Sequence, residues 1–378
     1  MENELELFRD NVRRFLIDQI QPHYEQWEAA GIMPREVWNQ MGEAGLLCVD
    51  VAEEYGGIGA EFPFSCVVLE EAARLGFMSL ATNLAVHSDI VAPYVAHLGT
   101  DEQKQYWLPK LVSGEAVGAI AMTEPGAGSD LQAIKTSAVA DGDDYIVNGQ
   151  KTFITNGQHA NLIVTAVKTD PSARAKGTSL LLIDSALEGY SRGRNLEKIG
   201  QHAGDTSELF FSNLRIPQSS VLGNVGGGFG HLMDELPRER LVLGVTAIGA
   251  AQGCIEQTIE YTTTRKAFGQ AIASFQNTRF ELAKMKTDLE VHRAFVNHCA
   301  ALYAEGKLDV PTAAMVKLAG TEMQCRVADG CLQLFGGYGY MNEYPIARAF
   351  VDARVQRIYG GTSEIMKEVI ARSMLGRG

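Results

Sequence analysis

"DGDDYIVNGQKTFITNG", residues 141–157, decides the fold class. Tyr145, Ile146, Val147, Phe153, Ile154 and Thr155 are strand-forming residues, and two Asn-Gly pairs, Asn148-Gly149 and Asn156-Gly157, punctuate them. Both residues of an Asn-Gly pair tolerate positive φ, so each pair predicts a hairpin or turn between β runs. "NLIVTAVK" (161–168), "TSLLLID" (178–184) and "SELFFSNLRIP" (207–217) continue the β pattern.

On either side the period changes. Leu5, Phe8, Val12, Phe15 and Gln19 step by three and four, as one apolar face of a helix does. "TDEQKQYWLPKL" from Thr100 reads as a capped helix start, and Gly56, Gly57 and Gly59 break helical pieces. Downstream, Leu282, Met285, Leu289, His292, Val296, Cys299 and Tyr303 mark one seam of a long bundle helix, with His292 a packed residue rather than a ligand. The expected fold is therefore α+β: helices over residues 1–118, a compact β unit over 119–223, and helices over 224–378. No G-x-G-x-x-G follows a strand, and "GGGFG" at 226–230 lacks that spacing, so a Rossmann nicotinamide site is not expected.

A chain of 378 residues, 46% hydrophobic and 21% charged, can bury a large core. Its net charge of −13 disfavours nucleic acid and anionic membrane as partners. The six cysteines form no C-x-x-C pair, and they read as reduced, mostly buried thiols rather than a zinc site or disulfide framework. "MENELELFRD" has no apolar signal region, and "LVLGVTAIGAA" from Leu241 falls short of a membrane span. A cytoplasmic protein is the expectation.

Six stretches could carry chemistry. "AMTEPGAGSDLQ" (121–132) is a small-residue loop whose N–H groups and Ser/Thr hydroxyls could meet a ligand, or an ordinary loop. In "KTFITNG", Phe153 and Thr155 share a strand face and could stack on a planar ring and bond its edge. "TRKAFGQAIASFQ" places Arg265, Phe268 and Gln276 about a helix–helix connection, and "QLFGGYGYM" from Gln333 is a double-glycine connection beside aromatics. In "MDELPRERLVLG", Pro237 reads as a helix start, and Glu239 stands in apolar sequence that would raise its pKa toward that of a base. A first-turn glutamate settled by the helix dipole is the other reading. Finally, "RIYGGTSEIMKEVI" (357–370) puts a double glycine before a helix, with no acid or base at its centre.

Together, "AMTEPGAGSDLQ", "GQKTFITNG", "RKAFG", "QLFGGYGYM" and "VQRIYGGTSEIMKEVIAR" resemble the acyl-CoA dehydrogenase family in order and spacing, over nearly the whole chain. The resemblance implies an N-terminal helical domain, a middle β-barrel-like domain and a C-terminal four-helix bundle. It implies FAD, an acyl-CoA thioester substrate, a trans-2-enoyl-CoA product, an electron-transfer flavoprotein as acceptor, and a homotetramer arranged as a dimer of dimers. Carried over motif by motif, it puts Ile120, Met122, Thr123, Phe153 and Thr155 at the flavin, and Ser129 at the FAD pyrophosphate or CoA. Arg265, Phe268 and Gln276 would reach FAD from a neighbouring subunit, with Gln333, Gly336 and Gly337 along its adenosine side. Thr362 and Glu364 would also contact FAD, and Arg240, Gly360 and Gly361 would lie at the substrate, Gly361 offering an N–H to the thioester oxygen.

The departure is Gly360, where many members of the family carry the catalytic glutamate. The Glu239-Arg240 pair matches the long-chain and isovaleryl-type branch, which makes Glu239 the expected base. Glu364 is the rival carboxylate, beside the double glycine but in the first turn of a helix. Two other functions fit the resemblance: an acyl-CoA oxidase, usually longer at its C-terminus, and a catalytically idle relative with a binding role.

Overall fold

A computed structural model describes residues 2–376. The chain opens with seven helices: α1 (Glu2–Phe15), α2 (Gln21–Ala30), α3 (Glu36–Glu43), α4 (Phe62–Arg74), α5 (Met78–Leu84), α6 (Ala92–Leu98) and α7 (Asp101–Val112). Thr100 caps α7 as expected, and Gln103 completes a capping box that satisfies two otherwise unbonded amides. The apolar face of α1 departs from the simple period. A π-helical stretch, Leu16–Ile20, follows it, so Leu16 and Ile20 are buried while Gln19 points to solvent. A wider turn shifts the side-chain register, and the three-four count cannot see it.

The middle section is one sheet: β1 (Gly118–Ala121), β2 (Ser137–Asp141), β3 (Asp144–Thr155), β4 (Leu162–Lys168), β5 (Thr178–Asp184), β6 (Tyr190–Asn195), β7 (Thr206–Pro217) and β8 (Val221–Leu222). Its order is β6-β7-β3-β2-β4-β5-β8, with β1 added parallel to β4. Every residue of β4 is buried. Leu162, Val164 and Ala166 face the helical core, while Ile163 and Val167 face the core of the sheet itself. A strand covered on both sides reads as a continuous apolar run, as "LIVTAV" does.

The two Asn-Gly pairs behave differently. Asn156 takes φ 66 in a turn, as expected. Asn148-Gly149 lies inside β3, at a register break against β7, so it is a bulge and not a hairpin. The hairpin turns at Asp141–Asp144 instead, where Gly142 has φ 63. Thr136 explains the choice: a Cβ on Gly149 would sit 2.5 Å from its Oγ1, so the glycine serves close strand approach.

The C-terminal section holds α8 (Gly228–Thr264), a short hairpin of β9 (Lys266–Ala267) and β10 (Gln270–Ala271), α9 (Gln276–Ala304), α10 (Val310–Phe335), α11 (Pro345–Val355) and α12 (Ser363–Leu375). Pro237 is inside α8, not at its start. The helix begins at Gly228, and continuous burial from Arg238 through Val242 carries it through the proline, whose missing N–H costs one backbone bond. Met285, Leu289, Val296 and Cys299 form the expected buried seam of α9, and His292 is half-buried with Nδ1 2.7 Å from the Asp288 carbonyl. Both helical sections share one core, so α4 and α6 can contribute side chains to a site built on α8. Among the described residues, no helix is long and apolar enough to cross a membrane.

Candidate active site

Glu239 lies about three turns into α8, beyond reach of the helix dipole, which acts within the first turn. The dipole reading of this residue is thereby removed. Its side chain is 5% exposed, and the buried Leu241 and Val242 follow it along α8. Burial pushes its pKa up to about 7. The Tyr94 hydroxyl, donating to Oε1 at 2.8 Å, and Arg240 pull the other way, while Glu235, one turn back, adds to the rise. A carboxylate held near neutrality is the state a general base needs.

The double glycine comes to the same helix face. A Cβ on Gly360 would stand 2.5 Å from Leu243 Cδ1, and Leu243 is one turn along from Glu239. Gly360 has φ 62 and Gly361 φ 93, a pair of left-handed conformations that side chains resist. The segment is fixed from two helices. Gln356 Nε2 donates to Thr246 of α8 at 3.3 Å, and Lys317 of α10 donates to the Gly361 carbonyl at 2.7 Å. Arg357 and Ser363 both donate to Glu322 at 2.8 Å.

Lys317 and Arg240 are both buried beside this turn. Burial, reinforced by neighbouring Arg240, lowers the Lys317 pKa to about 8. Among the described residues, Arg240 Nε and Nη1 have no hydrogen-bond partner. A buried guanidinium with idle donors is costly, so this end of the site is built to receive acceptor atoms. Glu364, by contrast, is exposed in the first turn of α12. Bonding to its own backbone N–H and to Thr362 holds its pKa below the usual value, the wrong direction for a base. Thr362 is the N-cap of α12, its hydroxyl accepting from Ile365 N at 3.3 Å.

A second group gathers at the end of β3. Phe153 takes φ 60 at a register break and is 68% exposed, with Thr155 half-buried two residues on. Ile120, Met122 and Thr123 are half-buried on β1 and the loop after it, and Ser129 is exposed further along that loop. The loop is locked by a pair the motif reading passed over. Lys151, fully buried, donates to the Met122 carbonyl at 3.0 Å and to Glu124 Oε1 at 2.9 Å. Glu124 also accepts from Lys135 N at 2.6 Å and Thr136 N at 2.9 Å. Thr152 N donates to the Thr123 carbonyl at 2.9 Å, which sets the loop directly beside Phe153. A lysine at an inward-facing strand position, with a glutamate in the adjoining loop, was the available signal.

Arg265, Phe268, Gln276, Gln333, Gly336 and Gly337 form a third, separate group. Arg265 lies about 40 Å along α8 from Glu239. Its guanidinium is 5.1 Å from the Tyr338 ring centre, and Tyr261 stacks on Phe335 at 4.1 Å, so the two connections adjoin. Phe268 is 96% exposed, and Gln276 and Gln333 are exposed as well. Within one chain Arg265 lies far from Glu239.

Profiles for the N-terminal, middle and C-terminal domains of acyl-CoA dehydrogenase match residues 2–115, 119–214 and 226–375. The pig mitochondrial long-chain specific acyl-CoA dehydrogenase is 46% identical over 375 residues, 99% of this chain and 87% of that one. The potato mitochondrial isovaleryl-CoA dehydrogenase is 37% identical over 369 residues, 97% of this chain and 89% of that one. The crystal structure of an acyl-CoA dehydrogenase from Geobacillus kaustophilus superposes with a TM-score of 0.97 at 50% identity, covering 99% of each chain.

Proposed function

The chain belongs to the acyl-CoA dehydrogenase family, and on that premise we propose that Glu239 is the base that takes the α-proton of an acyl-CoA thioester. One observation carries the reading. Glu239 is a buried carboxylate with a pKa near 7, one helical turn from the residue that packs on the double glycine. The family is FAD-dependent, and this chain's residues fit that cofactor. Phe153 offers an exposed aromatic face, and Cβ atoms on Gly126, Gly128, Gly336 and Gly337 would meet nothing within 4 Å among the described residues, leaving backbone open to close approach. FAD, when bound, supplies the acceptor for the β-hydride.

The remaining work falls to the chain. An α-C–H is too weak an acid for a carboxylate until the thioester carbonyl is polarised. Backbone N–H groups of the double glycine, held by Lys317 and Gln356, are suited to that oxygen. Arg240 adds a buried positive charge beside the enolate-like charge as it forms. Ile120, Met122, Thr123, Phe153, Thr155, Thr362 and Glu364 would hold the flavin, and Ser129 its pyrophosphate or the CoA. Closing these groups around the thioester excludes water and fixes the reacting atoms. The product is a trans-2-enoyl-CoA, and electrons pass on to an electron-transfer flavoprotein.

The family is generally tetrameric. We propose the same for this chain, with Arg265, Phe268, Gln276, Gln333, Gly336 and Gly337 completing a cofactor site across a subunit interface. Their distance from Glu239 and the exposure of Phe268 support that arrangement. The likeness to a long-chain enzyme supports long acyl-CoAs as substrates. Anaerobic mixing with acyl-CoAs of graded length and branching tests the function. Bleaching of the oxidised flavin, strongest with long straight chains, is expected. Flavin that stays oxidised across the whole set would overturn the dehydrogenase reading, and peroxide formed at the turnover rate would move it to an oxidase.

A further inference from the structure

We propose that Tyr94 is a positioning residue for the base: its phenol holds the Glu239 carboxylate in one orientation and favours its ionised form. The inference rests on Glu239 being the base. Its own support is geometric. Tyr94 is fully buried on α6, and its hydroxyl donates to Glu239 Oε1 at 2.8 Å. The preceding residue of α8, Arg238, is gripped from the same part of the chain. Asp89, in the π-helical stretch Ala85–Val91 that runs into α6, accepts from Arg238 Nη2 at 2.8 Å, and Asp50 pairs with Nη1 at 2.6 Å. Consecutive helix residues point about 100° apart. Two contacts from one short segment, onto Arg238 and then Glu239, therefore fix both the rotation of α8 and the rotamer of its carboxylate.

The electrostatic surroundings define what Tyr94 contributes. Glu235 faces Glu239 from one turn back and is itself 2.8 Å from His97 Nδ1 of α6. Arg240 is the adjacent cation, and Lys317 of α10 lies beside Arg240. Asp50 and Asp89 are both engaged by Arg238. Among the described residues, Tyr94 is the one group that hydrogen-bonds the Glu239 carboxylate directly. Its own pKa is driven up by burial and by the adjacent Glu239 carboxylate, so it stays a donor through the working range. Donation to the charged form favours ionisation and opposes the effect of burial.

Tyr94→Phe removes one oxygen and keeps the ring, so packing is preserved. In the holoenzyme two readouts apply: the pH profile of kcat/KM for flavin reduction, and the infrared carboxylic C=O band of Glu239, titrated without substrate and identified by its loss in Glu239→Gln. A hydrogen bond to a charged group is worth enough to move both midpoints upward by about one pH unit. A phenol that merely filled space would move neither. If Tyr94→Phe titrates like the wild type while Glu239→Gln is inactive, the role of Tyr94 is overturned and the base stands. If Glu239→Gln reduces flavin at the wild-type rate, the base reading falls and takes this proposal with it.

Discussion

Gly360→Ala measures why this position carries no side chain. The backbone there has φ 62, and an alanine held in that conformation costs about 1 kcal/mol more than glycine. The new methyl would also stand 2.5 Å from Leu243 Cδ1. That atom is the far end of a half-buried leucine, so it can swing aside, and overpacking of this kind costs about 1–3 kcal/mol. The sum is about 2–4 kcal/mol. The two parts separate in a double-mutant cycle. With Leu243→Ala in place the overlap is gone, and Gly360→Ala should cost only the backbone part, a coupling of about 1–3 kcal/mol. Urea unfolding of the four holoproteins, at one fixed excess of FAD, reads this as differences in midpoint, because cofactor binding shifts apparent stability and several domains unfold together. Equal losses from Gly360→Ala in both backgrounds, or no loss in either, would refute the packing argument. The base would then have no steric reason to be absent from the double glycine.

Other expectations follow from the charged groups. Flavin reduction should require ionised Glu239, so kcat/KM should fall about tenfold per pH unit below about pH 7, and a profile flat through that range would exclude this base. The same shift has a stability consequence. The folded pKa lies above the unfolded one, so the ionised residue is a penalty above about pH 7 that vanishes below the ordinary carboxylate value, and it amounts to about 3 kcal/mol. Glu239→Gln should therefore raise the thermal midpoint near about pH 8 and leave it unchanged near about pH 4. Glu124→Gln strands Lys151 without its counter-charge and should cost about 3–5 kcal/mol and loosen flavin, whereas Lys151→Met with Glu124→Gln should recover much of the loss, as shown by flavin retention on gel filtration.

Much of the fold was legible because it is written in local period and turn chemistry. The strand runs, the Thr100 cap and the α9 seam all appear where they were expected. The failures share a cause: tertiary context outweighed a local signal. Pro237 reads as a helix start, yet the buried run Arg238–Val242 carries the helix through it. Asn148-Gly149 reads as a turn, yet Thr136 on the neighbouring chain segment makes it a bulge. Glu239 was visible as a carboxylate in apolar sequence. Tyr94 was not, because it lies 145 positions away and only folding brings it to Oε1. Lys317 likewise reads as one lysine on a helix until its ammonium is seen on the Gly361 carbonyl.

The most direct test of the account is the rate of anaerobic flavin bleaching by acyl-CoA in Glu239→Gln, with flavin content and acyl-CoA binding verified in the same preparation. Loss of a general base is worth about 10²–10⁴ in rate, and that fall, with both ligands still bound, is the predicted result. A variant that binds both and bleaches within a few-fold of the wild type would contradict the account and return the search to Glu364 beside the double glycine.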